Sequence, residues 1–217
     1  MNVLIIGAHG QIGQHLVDEL KNDKKHTPIA FVRKEEQVKE FEEKDVKARL
    51  GNLEDSVDEI KKRMTDIDAV VFTAGSGGST GADKTLLIDL DGAVKAVEAA
   101  KASGIDRFVM VSAFGADDRD RWNDELKSYY VAKHFADMWL MDSKLNYTIV
   151  RPGMLENKDS IGKVLIKDVI EESDVFSIPR IDVAKVLTEA LDNEKTYHKS
   201  FDLVTGEDSV SDALNKL

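Results

Sequence analysis

Three glycines constrain this chain more than any other feature. Gly7, Gly10 and Gly13 of the stretch "NVLIIGAHGQIGQHL" stand between an apolar run and an amphipathic one. "VLIIG" (3–7) has the unbroken apolar character of a strand covered on both faces. Ile12, Leu16 and Leu20 share one helical face, with Val17 beside it, so a helix begins near Gly10. In such a strand–turn–helix unit Gly7 permits the turn at the strand end. Bare backbone at Gly10 lets a pyrophosphate approach, and Gly13 lets helix and strand pack closely. The helix amides and dipole then attract the anion. This pattern predicts a dinucleotide site at the first crossover; a purely structural tight turn is the bland alternative.

The same alternation repeats along the chain. "PIAFVR" (28–33), "VKARLG" (46–51), "DAVVFTAG" (68–75), "RFVMVSA" (107–113) and "YTIVRPG" (147–153) read as further strands. "AVKAVEAAKASG" (93–104), closing on Gly104 as a C-cap, and "ELKSYYVAKHFADMWLMDS" (125–143) read as helices, the latter with aromatic and Met positions at core spacing. "RKEEQVKEFEEKDVK" (33–47) reads as a solvated helix face. Strand and helix in turn predict an α/β fold: a doubly wound parallel sheet, or Rossmann fold, with right-handed crossovers. One domain over 1–217 is expected, with its core in 1–153 and a substrate-covering segment in 154–217. That segment holds a helix at 181–193, a late strand at 200–206 and a short terminal helix at 209–217. "GSGGSTG" (75–81) follows the fourth strand, at the end of the sheet where ligands bind, and reads equally as a flexible connector. "DDRDRWNDE" (117–125) reads as a surface loop, with a lid as the alternative.

Net charge and composition remove several functions. A formal charge of −11 disfavours extended contact with nucleic acid or anionic lipid. The absence of cysteine removes disulfides and thiolate chemistry. No apolar run approaches the ~18 residues of a membrane span, and a cytoplasmic location is expected. The five histidines show no metal-ligand spacing, and no metal is expected. Gly7 to Gly13 lacks the terminal G-K-[ST] of a P-loop.

The second strand bears on which dinucleotide binds. An NAD site usually places a carboxylate about 20 positions beyond the glycines, on the ribose 2′-hydroxyl. Here that position is Arg33, with Lys34 next and Glu35 only after both cations. A guanidinium forks onto a 2′-phosphate that a carboxylate would repel, so NADP(H) is preferred over NAD(H). A solvated strand-end cation is the plain alternative.

The spacing G-x-x-G-x-x-G resembles the extended and atypical branches of the short-chain dehydrogenase/reductase family. "GNLED" (51–55), "TAG" (73–75), "VSA" (111–113), "YYVAK" (129–133), "YTIVRPG" (147–153) and "RIDVAKVL" (180–187) extend the likeness over essentially the whole chain. It looks closest to compact NAD(P)H-binding proteins of the biliverdin-IXβ/flavin reductase and NmrA-like group. The resemblance implies cofactor contacts at Gly7, His9, Gly10, Gln11, Ile12 and Gly13 in the loop. It implies others at Asn52 and Leu53 beside the adenine, at Thr73, Ala74 and Gly75 near the ribose and phosphates, and at Pro152 and Gly153 beside the nicotinamide. Arg151 of that last stretch reads equally as a buried ion-pair partner. His9 reads as a contributor of backbone alone.

The same resemblance implies that Ser112 bonds a substrate carbonyl, Tyr129 donates a proton and Lys133 holds the nicotinamide ribose. Tyr129 and Lys133 lie four apart, on one helical face, and a nearby ammonium would lower the phenol pKa. Tyr130 is a rival without a lysine four residues on, because position 134 is histidine. Thr73 departs from the asparagine of classical members. The implied activity is NADPH-dependent reduction of a small carbonyl, quinone or flavin-type substrate. A non-catalytic cofactor sensor with a protein partner, and a sugar epimerase-like enzyme, are the alternatives. A homodimer is compatible with any of them.

Overall fold

A computed structural model describes residues 1–78 and 80–217; Ser79 of the "GSGGSTG" segment lies outside the described residues. The expected strands form as β1 (Asn2–Ile6), β2 (Thr27–Val32), β3 (Lys47–Leu50), β4 (Ala69–Phe72), β5 (Arg107–Val111) and β6 (Asn146–Pro152). Their order is β3-β2-β1-β4-β5-β6, and every pairing among them is parallel. This is the doubly wound order, with the reversal of direction between β1 and β4.

Alternation inside β1 shows why an unbroken apolar run is needed. Val3 and Ile5 join a core with Leu16 and Leu20 of α1 (Gln11–Asp23), whereas Leu4 and Ile6 join a second core on the opposite face. The first core also receives Phe41 of α2 (Glu35–Glu42); the second receives Ile60 of α3 (Val57–Lys61). β3 departs from this two-sided burial: it is an edge strand with Lys47 and Leu50 exposed.

The connection after β4 is wider than the alanine-rich pattern suggests. A helical turn, α4 (Ala82–Lys84), opens into a π-helical stretch, Thr85–Gly92, which runs straight into α5 (Ala93–Ala102). The expected stop holds: Gly104 is left-handed (φ 71°), and Ile105 N donates to Ala100 O. After β5 comes α6 (Lys127–Asp142), whose orientation corrects an expectation. Phe135, Met138 and Trp139 face outward, while Ala132, Lys133, Ala136 and Asp137 are buried. Small residues bring this helix close to the sheet, and that face carries two ionisable groups.

The segment beyond 153 extends the sheet more than it covers it. β7 (Met154–Glu156) pairs with β9 (Ser177–Pro179) in a separate two-stranded sheet. β10 (Lys199–Thr205) adds parallel to β6, and β8 (Lys163–Lys167) and β11 (Asp208–Ser209) close that edge antiparallel. α7 (Arg180–Asp192) packs against α1, and α8 (Val210–Leu214) ends the chain nearby. The 117–125 segment is pinned rather than free. Arg121 donates to Ile170 O at 3.1 Å and lies 4.7 Å from the Phe114 ring centroid, and Trp122 Nε1 donates to Gly115 O.

One buried cation joins the two halves. Arg107 donates to Ala190 O and Leu191 O at the end of α7, to Asn146 O, and to the hydroxyls of Thr148 and Thr196. Burial lowers its pKa to about 10. Arg107→Met removes every donor and leaves these acceptors buried, so urea unfolding should show a loss of about 3 kcal/mol or more. A loss below about 1 kcal/mol would show the network to be redundant.

Candidate functional site

At the carboxyl end of β1 the chain turns sharply. Gly7 has φ 91°, and a Cβ there would stand 2.6 Å from Ala74 N. A Cβ on Gly13 would stand 2.3 Å from Gly7 O and 2.7 Å from Ala8 Cα, so only glycine lets α1 start this close to β1. No side chain caps α1 at Gly10, and its first turn carries no acidic residue. The opening amides of α1 are therefore left for an external anion. Gln14 Nε2 ties the loop by donating to His9 O at 2.9 Å. The His9 side chain turns outward to Glu40, 3.0 Å away, which fits a backbone-only contribution.

Two cavities meet over this turn. The outer one, about 300 Å³, is bounded by Gly7, His9 and Gly10, by Arg33 after β2, and by Asn52 and Leu53 after β3. The inner one, about 690 Å³, is reached past Gln11 and Ile12 and contains Ser112, Tyr129 and Lys133. Thr73, Ala74 and Gly75 line both. Thr73 holds the junction, its hydroxyl donating to Ile6 O and Gly7 O at 3.2 and 3.3 Å. Arg33 is exposed on the outer cavity and makes no ion pair among the described residues. Lys34 and Gly13 line neither cavity: the first opens α2, and the second is consumed by packing.

The inner cavity holds the candidate chemistry. Ser112 Oγ is buried, meets no hydrogen-bond geometry among the described residues, and lies close enough to Asp137 to pull that carboxyl pKa down. Lys133, 2% exposed, donates to Val111 O at 2.8 Å; burial pulls its pKa down, while Asp89 and Asp137 act against that. Tyr129 corrects the expected electrostatics. Its phenol is raised well above the usual range, by burial first and then by Asp89, Tyr130 and Asp137, with no lowering from Lys133. The ammonium is committed to a carbonyl instead. Tyr130 is not the rival that spacing allowed, because its ring stacks on Trp122 at 6.0 Å and lines neither cavity.

"RPG" also needs revision. Pro152 and Gly153 line neither cavity; a Cβ at Gly153 would stand 2.4 Å from Phe176 O, so this glycine serves close packing. Arg151 is the ion-pair partner, with Nε 3.1 Å from Asp137 Oδ2 and Nη1 3.1 Å from Asp117 Oδ2. Burial raises the Asp137 carboxyl pKa, and Arg151 most strongly opposes that. A roof over the substrate, expected from about 154–180 with 75–81 and the 114–124 loop, is also drawn differently. Of 154–180 only Leu155 and Arg180 reach the inner cavity, and 114–124 does not contribute. The described part of 75–81 does, with Glu125 and Leu126 from the approach to α6.

Asp89 was missed in the sequence. It is 1% exposed, accepts from Ser76 N at 2.9 Å and lines the inner cavity. The available signal was a carboxylate inside the apolar run "LLIDL": Thr85, Asp89 and Gly92 fall at helical spacing and are the buried positions of that stretch, while Leu86 and Leu87 are exposed.

Residues 7–194 match the profile of a family described as NAD(P)H-binding. The Bacillus subtilis protein YhfK, named an uncharacterized sugar epimerase, is 50% identical over 217 residues, with both chains covered in full. Among solved structures, a Bacillus halodurans protein provisionally assigned as an NAD-dependent epimerase/dehydratase has a TM-score of 0.94 at 44% identity, again over 100% of each chain. The Lactococcus lactis oxidoreductase ylbE has a TM-score of 0.89 at 31% identity, over 100% of this chain and 96% of its own. The chain thus has full-length counterparts among known proteins and belongs to the NAD(P)H-binding family.

Proposed function

We propose that this protein is an NADPH-dependent reductase of small carbonyl, quinone or flavin-type molecules. The observation that carries this reading is the junction at Thr73–Gly75. It joins a cavity bearing an unpaired arginine to one bearing Ser112, Tyr129 and Lys133.

The residues present fit the cofactor. The cradle at Gly7 and Gly10 is bare backbone, the opening amides of α1 are uncapped, and Arg33 offers a free guanidinium beside them. In this reading those amides hold the pyrophosphate, Arg33 takes the 2′-phosphate, and Asn52 and Leu53 border the adenine. When bound, the nicotinamide supplies the hydride. Lys133, fixed on Val111 O, has ammonium hydrogens left for a ribose hydroxyl. In this reading Ser112, on the lining of the inner cavity, turns its hydroxyl from Asp137 to donate to a substrate carbonyl oxygen. A phenol with a raised pKa is neutral at physiological pH, so Tyr129 presents a proton rather than an anion to the same oxygen.

The elevated phenol is also what a sensor of cofactor state would tolerate, since sensing needs no proton transfer. The name of YhfK points to an epimerase, in which hydride leaves and returns with no net use of NADPH. Steady consumption of NADPH with a quinone or aldehyde panel supports the reductase; binding without consumption supports the others.

Arg33→Ala should weaken NADPH at least tenfold and leave NADH within about twofold, read by calorimetry. Equal losses would remove the 2′-phosphate assignment. Ser112→Ala and Tyr129→Phe should each lower kcat/KM by about 10²-fold or more with cofactor affinity retained. Full turnover in both variants would end the proton-donor role. With Tyr129 raised, the phenol should contribute no alkaline fall in reduction between about pH 7 and 9, and any fall from Lys133, whose pKa burial lowers, should persist in Tyr129→Phe. A fall that disappears in Tyr129→Phe would show a lowered phenol in the complex.

A further inference from the structure

We infer that Arg180 recognises an anionic group on the substrate, so that the inner cavity selects small carbonyl or quinone compounds carrying a carboxylate, sulfonate or phosphate. This rests on the reductase reading and names the substrate class for it. Arg180 is the first residue of α7, directly after β9. The β7–β9 pairing sets Leu155 opposite Ile178 and Glu156 opposite Pro179, which brings Leu155 and Arg180 to the same cavity. Asn157, following β7, accepts from Arg180 Nη1 at 2.9 Å. A neutral amide thus orients the guanidinium and leaves its charge uncompensated.

The acids close by in sequence are already engaged. Asp182 is fully buried and accepts from the Ser160 hydroxyl and from Ile161 N and Gly162 N. Glu156 is 3.0 Å from Lys158. Arg180 forms no ion pair among the described residues, although the chain holds 41 acidic residues against 30 basic ones. Arg151 shows the contrast, taken up by two carboxylates.

The other charged groups on the inner cavity do not answer that cation. Lys133 is held by Val111 O, and Asp89 by Ser76 N. Glu125 is exposed, lines the cavity and makes no ion pair with Arg180. A guanidinium has five N–H donors in a planar fork, which matches the paired oxygens of a carboxylate, sulfonate or phosphate.

The test compares 1,4-naphthoquinone-2-sulfonate with 2-methyl-1,4-naphthoquinone, using NADPH, in the unsubstituted protein, Arg180→Gln and Arg180→Lys. The ratio of kcat/KM for sulfonate over methyl should fall tenfold or more in Arg180→Gln and less in Arg180→Lys. Because it is a ratio, it is insensitive to general loss of active protein. An unchanged ratio overturns the inference, as does a substitution that favours the sulfonate. Calorimetry of both quinones on the NADP⁺-loaded protein reads the same selectivity without hydride transfer. Selective sulfonate binding abolished in Arg180→Gln but without turnover would uphold Arg180 and sink the reductase. Turnover with no sulfonate preference would do the reverse. Equal binding of the two quinones, or binding of neither, overturns the inference.

Discussion

The carbonyl oxygen of Gly7 is the point on which the site is built. Gly10 N donates to it at 2.9 Å, the Thr73 hydroxyl reaches it at 3.3 Å, and the bare face of Gly13 packs over it. These contacts fix the end of β1, the start of α1 and the end of β4 relative to one another. Any side chain on Gly13 would push the helix off, and the opening amides would no longer face the crevice between β1 and β4. The left-handed turn at Gly7 also lets Ala74 approach, and Ala74 lies where the two cavities join. One backbone geometry thus sets both the anion site and the passage from outer to inner cavity.

The fold was legible because parallel strands buried on both faces leave largely apolar runs, as five of the first six did; β3, an edge strand with Lys47 and Leu50 exposed, did not. The segment beyond 153 was less legible. β8 and β11 are short antiparallel edge strands, and β7 and β9 have only three residues each, too few for periodicity to register. On the outer cavity, Arg33 was readable from its distance to the glycines, whereas Asn52, Leu53, Ala74 and Gly75 were implied by the family resemblance alone. Pro152 and Gly153 were misread, because a conspicuous turn in sequence does not say whether its glycine admits a ligand or a neighbouring chain. Here Phe176 O occupies that space. On α6 the aromatic and Met spacing suggested a core that the structure turns to solvent. Alanines at 132 and 136 allow the closer approach, and a helix presents only one face to the sheet.

The arrangement of cations follows from a chain with excess acid. Arg151 and Arg107 are buried with partners and hold elements together, Arg151 between Asp137 and Asp117, and Arg107 across β5, β6 and the end of α7. Arg33 and Arg180 are the contrasting pair: each stands at the end of a strand, each lines a cavity, and neither finds a carboxylate among the described residues. In a molecule of net charge −11, leaving two guanidinium groups unpaired beside concave surface forgoes available Coulomb attraction.

Asp89 links the two ionisable groups of the inner cavity. Buried under the Gly75–Ser76 turn, it raises the pKa of both Lys133 and Tyr129. For Lys133 that influence works against desolvation and favours the ammonium form; for Tyr129 it adds to desolvation and favours the neutral phenol. Both effects retain a proton. Asp89, at a buried position of the Thr85–Gly92 stretch, therefore opposes loss of the proton from either group, while burial still holds the Lys133 pKa below its usual value. That state suits delivery of a proton to a developing alkoxide. It suits removal of one from an alcohol far less, because that needs a deprotonated oxygen.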